Sequence, residues 1–383
     1  MNRYLLTLLL SLSVLAATAA EPADSAAADT VPRRNFIQKV IAYFGEANKV
    51  RDRNKFDISV VGGPHYSSDS KFGLGVLAAG TYNLDRADTL DLLRSNITMK
   101  VDATTAAHYT LSLEGENIFP GDRSRLTYNI SASSIETKYW GIGYDMGHDD
   151  ANESKYRYLA AVADISQTWR LSRGFYLGPM LTVNYTSGRS FDRRELWGDE
   201  PTHAFAWGPG VTVRYDTRDN LTDPRRGEAL RLDQLLCTSW LGNSRGFCIN
   251  EVTASIYRPL WRGATLASRL HWRLTWGDTP WCFLSTIGGS HDMRGYFEGR
   301  YRDKNEIDIC VELRQHVWRR NGVVAWVGAA SLFPRFSAIR ARQVLPNAGI
   351  GYRWEFKRRM NVRVDFGFGR HQTGFILGLN EAF

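Results

Sequence analysis

From Phe56 to Phe383 the chain alternates with a period of two. Leu266, Ser268, Leu270, Trp272, Leu274 and Trp276 form one face, and Ala267, Arg269, His271, Arg273 and Thr275 form the other. Ile307, Ile309, Val311, Leu313 and Val317 likewise alternate with Asp308, Cys310, Glu312, Arg314 and His316. Val362, Val364, Phe366 and Phe368 alternate with Arg363, Asp365, Gly367 and Gly369. Successive side chains of a strand point to opposite faces, so this pattern predicts β-strands rather than helices. Alternation alone fits a soluble sandwich as well as a barrel. Arginine decides between them: cations on strand after strand, opposed to Leu, Val, Trp and Phe, mark a transmembrane barrel with lipid outside and a wet lumen. No water pairs the backbone inside a bilayer, so such a sheet must close on itself.

About 16 strands are expected in this all-β antiparallel barrel, at 56–66, 71–83, 94–102, 106–117, 124–137, 154–170, 173–187, 203–218, 227–241, 246–260, 263–276, 306–319, 322–333, 345–356, 360–370 and 373–383. If the chain enters from the periplasm, loops after odd strands lie outside the cell, including the long ones near 138–153, 188–202 and 277–305. Turns after even strands are mostly short, at Leu171-Ser172, Trp261-Arg262, Arg320-Asn321 and Lys357 to Arg359. That asymmetry is typical of outer-membrane barrels.

The first residues read differently. Asn2-Arg3, an uncharged apolar run from Tyr4 to Ala16 and the small-x-small Ala17-Thr18-Ala19 predict a signal peptide over 1–20, cleaved near Ala19 or Ala20. Residues 21–32 are an Ala/Asp/Pro-rich linker. Between Arg33 and Val50, Phe36, Ile37, Val40, Ile41, Tyr43 and Phe44 fall at helical spacing. A short amphipathic helix is expected there, lying on the membrane, plugging an opening or packing on the body of the protein. Residues 21–55 are thus read as a periplasmic linker and helix, and 56–383 as the barrel.

Composition refines this picture. The 383 residues carry a net charge of +8 and a mean hydropathy of −0.33. After the first twenty residues no apolar run approaches the ~18 that a spanning helix needs, which excludes a helical membrane bundle. Low hydropathy is what a barrel gives when half of every strand faces water. The arginines are spread over exported strands, so anionic lipopolysaccharide and phospholipid headgroups are the expected partners, and nucleic acid is not. At the end of the sequence Phe375, Leu377, Leu379 and Phe383 resemble the C-terminal assembly signature of outer-membrane barrels, although Glu381 stands where another apolar residue is usual.

Three further stretches together resemble the BamA/TamA superfamily of outer-membrane assembly and translocation barrels, also called bacterial surface antigens. Gly288-Gly289-Ser290-His291-Asp292-Met293-Arg294-Gly295-Tyr296 is similar to the family's Arg-Gly-aromatic motif, carried on a loop (277–305) that folds back into the lumen. Asp216-Thr217-Arg218-Asp219-Asn220 with Pro224 and Gly227 resembles the family's turn between the eighth and ninth strands. Glu312-Leu313-Arg314 resembles the strand after the motif loop.

An arginine held inside a barrel needs a carboxylate, because an unpaired buried cation is costly and a bidentate pair fixes geometry. By alternation Glu312 faces the lumen on the next strand and is the expected partner of Arg294 in a lock with Gly295 and Tyr296. The family's second carboxylate is missing: Gly328 occupies its position and Ala330 stands where a glycine is usual. Asp308 or Asp365 are the candidate substitutes.

The resemblance implies a role in outer-membrane protein insertion, translocation or envelope biogenesis, with client outer-membrane proteins and the barrel-assembly machinery as partners. The 35 residues from Glu21 to Lys55 are too few for the family's periplasmic polypeptide-transport-associated domains of ~75 residues, a domain size by ordinary standards. A barrel-only branch is therefore expected. Alternative readings are a porin-like channel and a structural subunit of a surface complex.

No enzyme is expected. There is no Gly-x-Ser-x-Gly elbow, and His148-Asp149-Asp150 and His291-Asp292 lack a second cluster at ligand spacing, so neither a metal nor a cofactor is read from the sequence. Among the four cysteines, alternation puts Cys237 and Cys248 on opposite faces, which bars a bond between them unless a bulge intervenes. Cys282 and Cys310 could pair. Free thiols are the expected state of all four.

Overall fold

The computed structural model describes residues 57–67, 71–84, 95–357 and 359–383. The expected signal peptide, linker and amphipathic helix lie outside the described residues. Among the described residues no helix is long and apolar enough to cross a membrane.

The strands run β1 (Asp57–Ser67), β2 (Lys71–Tyr82), β3 (Ser95–Thr104), β4 (Tyr109–Ile118), β5 (Ser124–Tyr139), β6 (Ser154–Ser172), β7 (Phe175–Arg189), β8 (His203–Asp216), β9 (Gly227–Cys237), β10 (Phe247–Pro259) and β11 (Ala264–Gly277). They continue with the two-residue strands β12 (Ser285–Thr286) and β13 (Arg302–Asp303), then β14 (Asn305–Trp318), β15 (Asn321–Phe333), β16 (Leu345–Lys357), β17 (Met360–Gly369) and β18 (Gln372–Leu379). Sixteen of them close into one antiparallel barrel in chain order, while β12 and β13 form a separate ribbon inside the loop that joins β11 to β14.

Burial is inverted relative to a water-soluble protein. Phe72, Leu74, Leu111, Ile130, Trp169, Phe205, Val327, Ile350 and Phe366 are exposed on the outside, whereas Arg269, Glu306, Asp308, Glu312, Arg314, Arg353, Arg363 and Asp365 are buried within. The period of two produces this sorting directly: in β17, Arg363 and Asp365 are buried and Phe366 and Phe368 exposed. In lipid the outer face is matched to hydrocarbon and the inner charges neutralise one another.

Closure is uneven. β17 and β18 are in register from Val362↔Leu379 to Gly369↔Gln372, and β1 and β2 from Asp57↔Thr81 to Ser67↔Lys71. Between β1 and β18 the described residues are in register at one pair, Ser67↔Ile376.

One expectation is corrected. The last strand stops at Leu379, not Phe383: Asn380 takes a left-handed φ of 60° and turns the chain inward. Glu381 and Ala382 are buried, and the Arg314 guanidinium lies 5.3 Å from the Phe383 ring centroid. Glu381 is polar because it has left the lipid-facing register that Phe375, exposed on β18, still follows. The four cysteines are free thiols, and Cys237 and Cys248 are not opposite each other: Cys237 is opposite Phe247 and Cys248 opposite Leu236.

Candidate functional site

The loop between β11 and β14 enters the lumen as a hairpin. Its stem is the β12–β13 ribbon, continued by Ile287 N–H to the Tyr301 carbonyl at 3.4 Å and Gly299 N–H to the Ile287 carbonyl at 3.1 Å. Its tip closes where Tyr296 N–H meets the Met293 carbonyl at 3.1 Å. Ile287, Met293, Tyr296 and Tyr301 then bury against Ala330, Leu332 and Leu345 of the wall. This apolar cluster carries the loop down to the charges.

Arg294 is 1% exposed. Its Nη1 donates to Asp365 Oδ2 on β17 at 2.7 Å, its Nη2 donates to Glu312 on β14, and its guanidinium lies 3.7 Å from the centroid of Trp326 on β15. Its carbonyl accepts from Asn347 on β16. One residue is thus held by four consecutive wall strands. Burial opposes its charge, but Glu312 and Asp365 outweigh that and hold the guanidinium above its ordinary pKa.

Asp365 therefore occupies the place of the missing second carboxylate. Asp308 does not, because it faces His271 at 2.8 Å. The pairs continue into a closed circuit. Arg314 Nε contacts Glu312 at 2.6 Å and Glu381 at 3.8 Å, Arg353 Nε contacts Glu381 at 2.8 Å, and Arg353 Nη1 contacts Asp365 at 2.5 Å. Three guanidiniums and three carboxylates alternate around it, linking the loop tip, β14, β16, β17 and the inturned segment after β18. Breaking one buried member leaves its neighbours uncompensated, so the circuit acts as a unit.

Gly295 and Tyr296 explain their own identities. Gly295 has φ 118°, and a Cβ there would come within 2.7 Å of the Gly367 carbonyl carbon, while a Cβ on Gly367 would come within 2.1 Å of the Arg294 carbonyl oxygen. Backbone rests on backbone, which only glycine permits. Tyr296 is buried, donates to the Pro346 carbonyl at 2.6 Å and accepts from Arg370 N–H at 2.7 Å. Burial pushes its phenol up to about 12, so it remains a donor at neutral pH.

The turn between β8 and β9 reaches the same network from the short-turn end. Arg218 Nη2 meets Asp216 at 2.7 Å, Asp219 Oδ1 accepts from the N–H groups of Arg225 and Arg226 at 2.9 and 3.1 Å, and Asp219 Oδ2 accepts from Arg359 at 2.6 Å. Pro224 offers its carbonyl to Arg314 at 3.5 Å, and Glu381 N–H reaches the Thr222 carbonyl at 3.3 Å. Gly227 has φ 103° and would clash with the Thr217 carbonyl if it carried a side chain. The turn motif is therefore built to cross the barrel mouth and meet residues of β14 and of the segment after β18.

Other residues singled out in the sequence have separate surroundings. His148 lies against Tyr144 and near His371, and Asp150 pairs with Arg300 at 2.6 Å. His291 Nδ1 is 2.9 Å from the Ala382 carbonyl, and Asp292 pairs with Arg269. At the long-loop end Trp197 stacks on Tyr139 at 4.1 Å and meets Trp281 edge-on at 4.7 Å, which fills the lumen there. Alternation marked Asp365 as an inward charge. It gave no sign that Asn347, Trp326 and Glu381 would join the same site, because those contacts depend on where the loop tip lands.

The family profile for the Omp85 superfamily domain matches residues 94–338. The chain belongs to the Omp85 superfamily. Among solved structures this Omp85 barrel is similar to BamA from Haemophilus ducreyi lacking POTRA domains 1–3, with a TM-score of 0.56 at 13% identity over 85% of this chain and 70% of that one. It is also similar to CdiB from Escherichia coli, with a TM-score of 0.55 at 10% identity over 90% of this chain and 70% of that one. For CdiB from Acinetobacter baumannii the TM-score is 0.52 at 12% identity, over 87% of this chain and 60% of that one. At such identities the likeness is one of fold. No curated protein matches the chain. It is an outer-membrane barrel of the BamA/TamA type.

Proposed function

We propose that this Omp85 barrel assists the insertion or translocation of outer-membrane proteins, with its short-turn end toward the periplasm and lipopolysaccharide and phospholipid at its outer face. The observation that carries the reading is the seam: among the described residues β1 and β18 share one registered pair, Ser67↔Ile376, while β18 is paired with β17 along its length. An incompletely paired strand edge is a template for an incoming strand. A client outer-membrane protein supplies such a strand, and the superfamily's other barrels include insertases and transporters. The loop seat lies beside this seam, since Gly295 backs onto Gly374 of β18 as well as Gly367 of β17. The filled lumen, with Arg294 and Tyr296 inside and Trp197 and Trp281 above, speaks against a wide diffusion pore. No catalytic group is required for such work, and none is assigned.

A cysteine-free variant carrying Ser67→Cys and Ile376→Cys tests this. The oxidised protein in liposomes should fail to accelerate the folding of a small unfolded outer-membrane barrel, and dithiothreitol should restore it. Equal acceleration with the seam closed by the bond contradicts the proposal.

A further inference from the structure

His271 on β11 is directly opposite Asp308 on β14, and Arg273 is opposite Glu306 in the same register. The ring Nδ1 of His271 is 2.8 Å from Asp308 Oδ2 and 4.0 Å from Glu306 Oε1, and one ligand atom from each of the three side chains lies within 4.8 Å of the others. All three are buried: His271 is 7% exposed, Glu306 3% and Asp308 1%. Glu306 makes no hydrogen bond to any described residue, its closest ion-pair contact being that 4.0 Å approach. A carboxylate buried to this degree without a hydrogen bond is strongly unfavourable as an anion, and a proton or a bound cation relieves it.

The second ring nitrogen is already engaged. His271 Nε2 faces Glu251 Oε1 at 3.3 Å, and Glu251 is itself held by Arg273. A histidine that gives one nitrogen to a metal usually donates its other N–H to a carboxylate, which fixes the tautomer and orients the ring. Here that arrangement leaves Nδ1 turned toward the two remaining carboxylates. With Nδ1 unprotonated, Glu306 and Asp308 carry two negative charges that a divalent cation neutralises.

We propose that His271, Glu306 and Asp308 bind a divalent first-row transition metal, of which zinc is the first to test. One imidazole and two carboxylates suit such ions, whereas magnesium and calcium favour all-oxygen shells. The site's position gives it a role. β11 and β14 are the two strands from which the lumenal loop leaves at Gly277 and to which it returns at Asn305. A metal joining them pins the two feet of the loop and stabilises the plugged state by mass action. The motif is invisible in the sequence because His271 and Asp308 are 37 positions apart.

The test uses the full chain, refolded in detergent without a histidine tag and stripped with chelator. Zinc chloride alone is titrated by calorimetry, and melting is followed with and without the metal. The expected result is one zinc per chain and a rise in melting temperature that chelator reverses. Glu306→Gln removes the unpaired carboxylate without changing shape, so it should leave the metal-free melting temperature unlowered and weaken zinc binding at least tenfold. His271→Ala should abolish binding. Absence of stoichiometric binding overturns the proposal, as does binding that both variants leave unchanged, which would place the zinc elsewhere, as at His148 and His371.

Discussion

Arg294 donates to Asp365 at 2.7 Å, three strands along the wall from its other carboxylate, Glu312. This pairing fastens the loop to the stretch of wall from β14 to β17, close to the seam. Arg294→Ala leaves Glu312 and Asp365 short of a partner and should cost about 3–5 kcal/mol, the usual penalty for breaking a buried pair. Folded, heat-resistant migration on a gel should be lost at a lower temperature. An Arg294→Ala protein that migrates like wild type removes the lock from the account.

Gly367→Ala tests the seat without touching a charge. The added methyl would fall 2.1 Å from the Arg294 carbonyl oxygen, and overpacking of this kind costs about 1–3 kcal/mol. Faster proteolysis within residues 288–300 is expected. Unaltered protection of the loop means that the tip does not rest on β17.

Glu381→Leu restores the apolar residue usual in the assembly signature and deprives Arg353 of its 2.8 Å partner. Because the chain turns inward at Asn380, the variant should melt lower despite its more regular sequence. A higher melting temperature argues that residues 380–383 continue the strand toward lipid. Phe375→Ala, on the outer face, should instead slow assembly in membranes and leave the lock intact.

Acid should loosen the loop. His291 is pushed down to about 4 by its depth in the lumen and then by the Arg363 charge, although part of its ring faces open lumen; Arg269 and Arg294 act in the same direction. Its folded value lies below the unfolded 6.5, so the unfolded chain binds more protons between those values. Stability from this group is present above about pH 6.5 and is lost as pH falls toward 4. Hydrogen exchange of residues 288–300 should quicken across that window, and His291→Gln should flatten the dependence. Exchange that does not respond to pH in wild type rejects the assignment.

Period-two alternation placed the barrel strands well because lipid and lumen impose opposite chemistry on adjacent residues, and no tertiary detail is needed to read that. Glu312 was legible for the same reason: its face follows from parity. Asp365 stood among the inward charges, but choosing it over Asp308 required knowing which wall strands the tip reaches and that His271 already engages Asp308. The inturn at Asn380 was hidden behind an apparently continuous alternation, with Glu381 the one residue out of pattern. Long-range landing points are fixed by packing of Met293 and Tyr296 against Leu332 and Leu345, and no local pattern encodes that.

Conductance in planar bilayers tests most directly the claim that a seated loop closes this barrel. The intact protein should show little steady current, and deletion of residues 288–300 should open a large, stable conductance. A large steady conductance in the intact protein, unchanged by the deletion, would contradict the account.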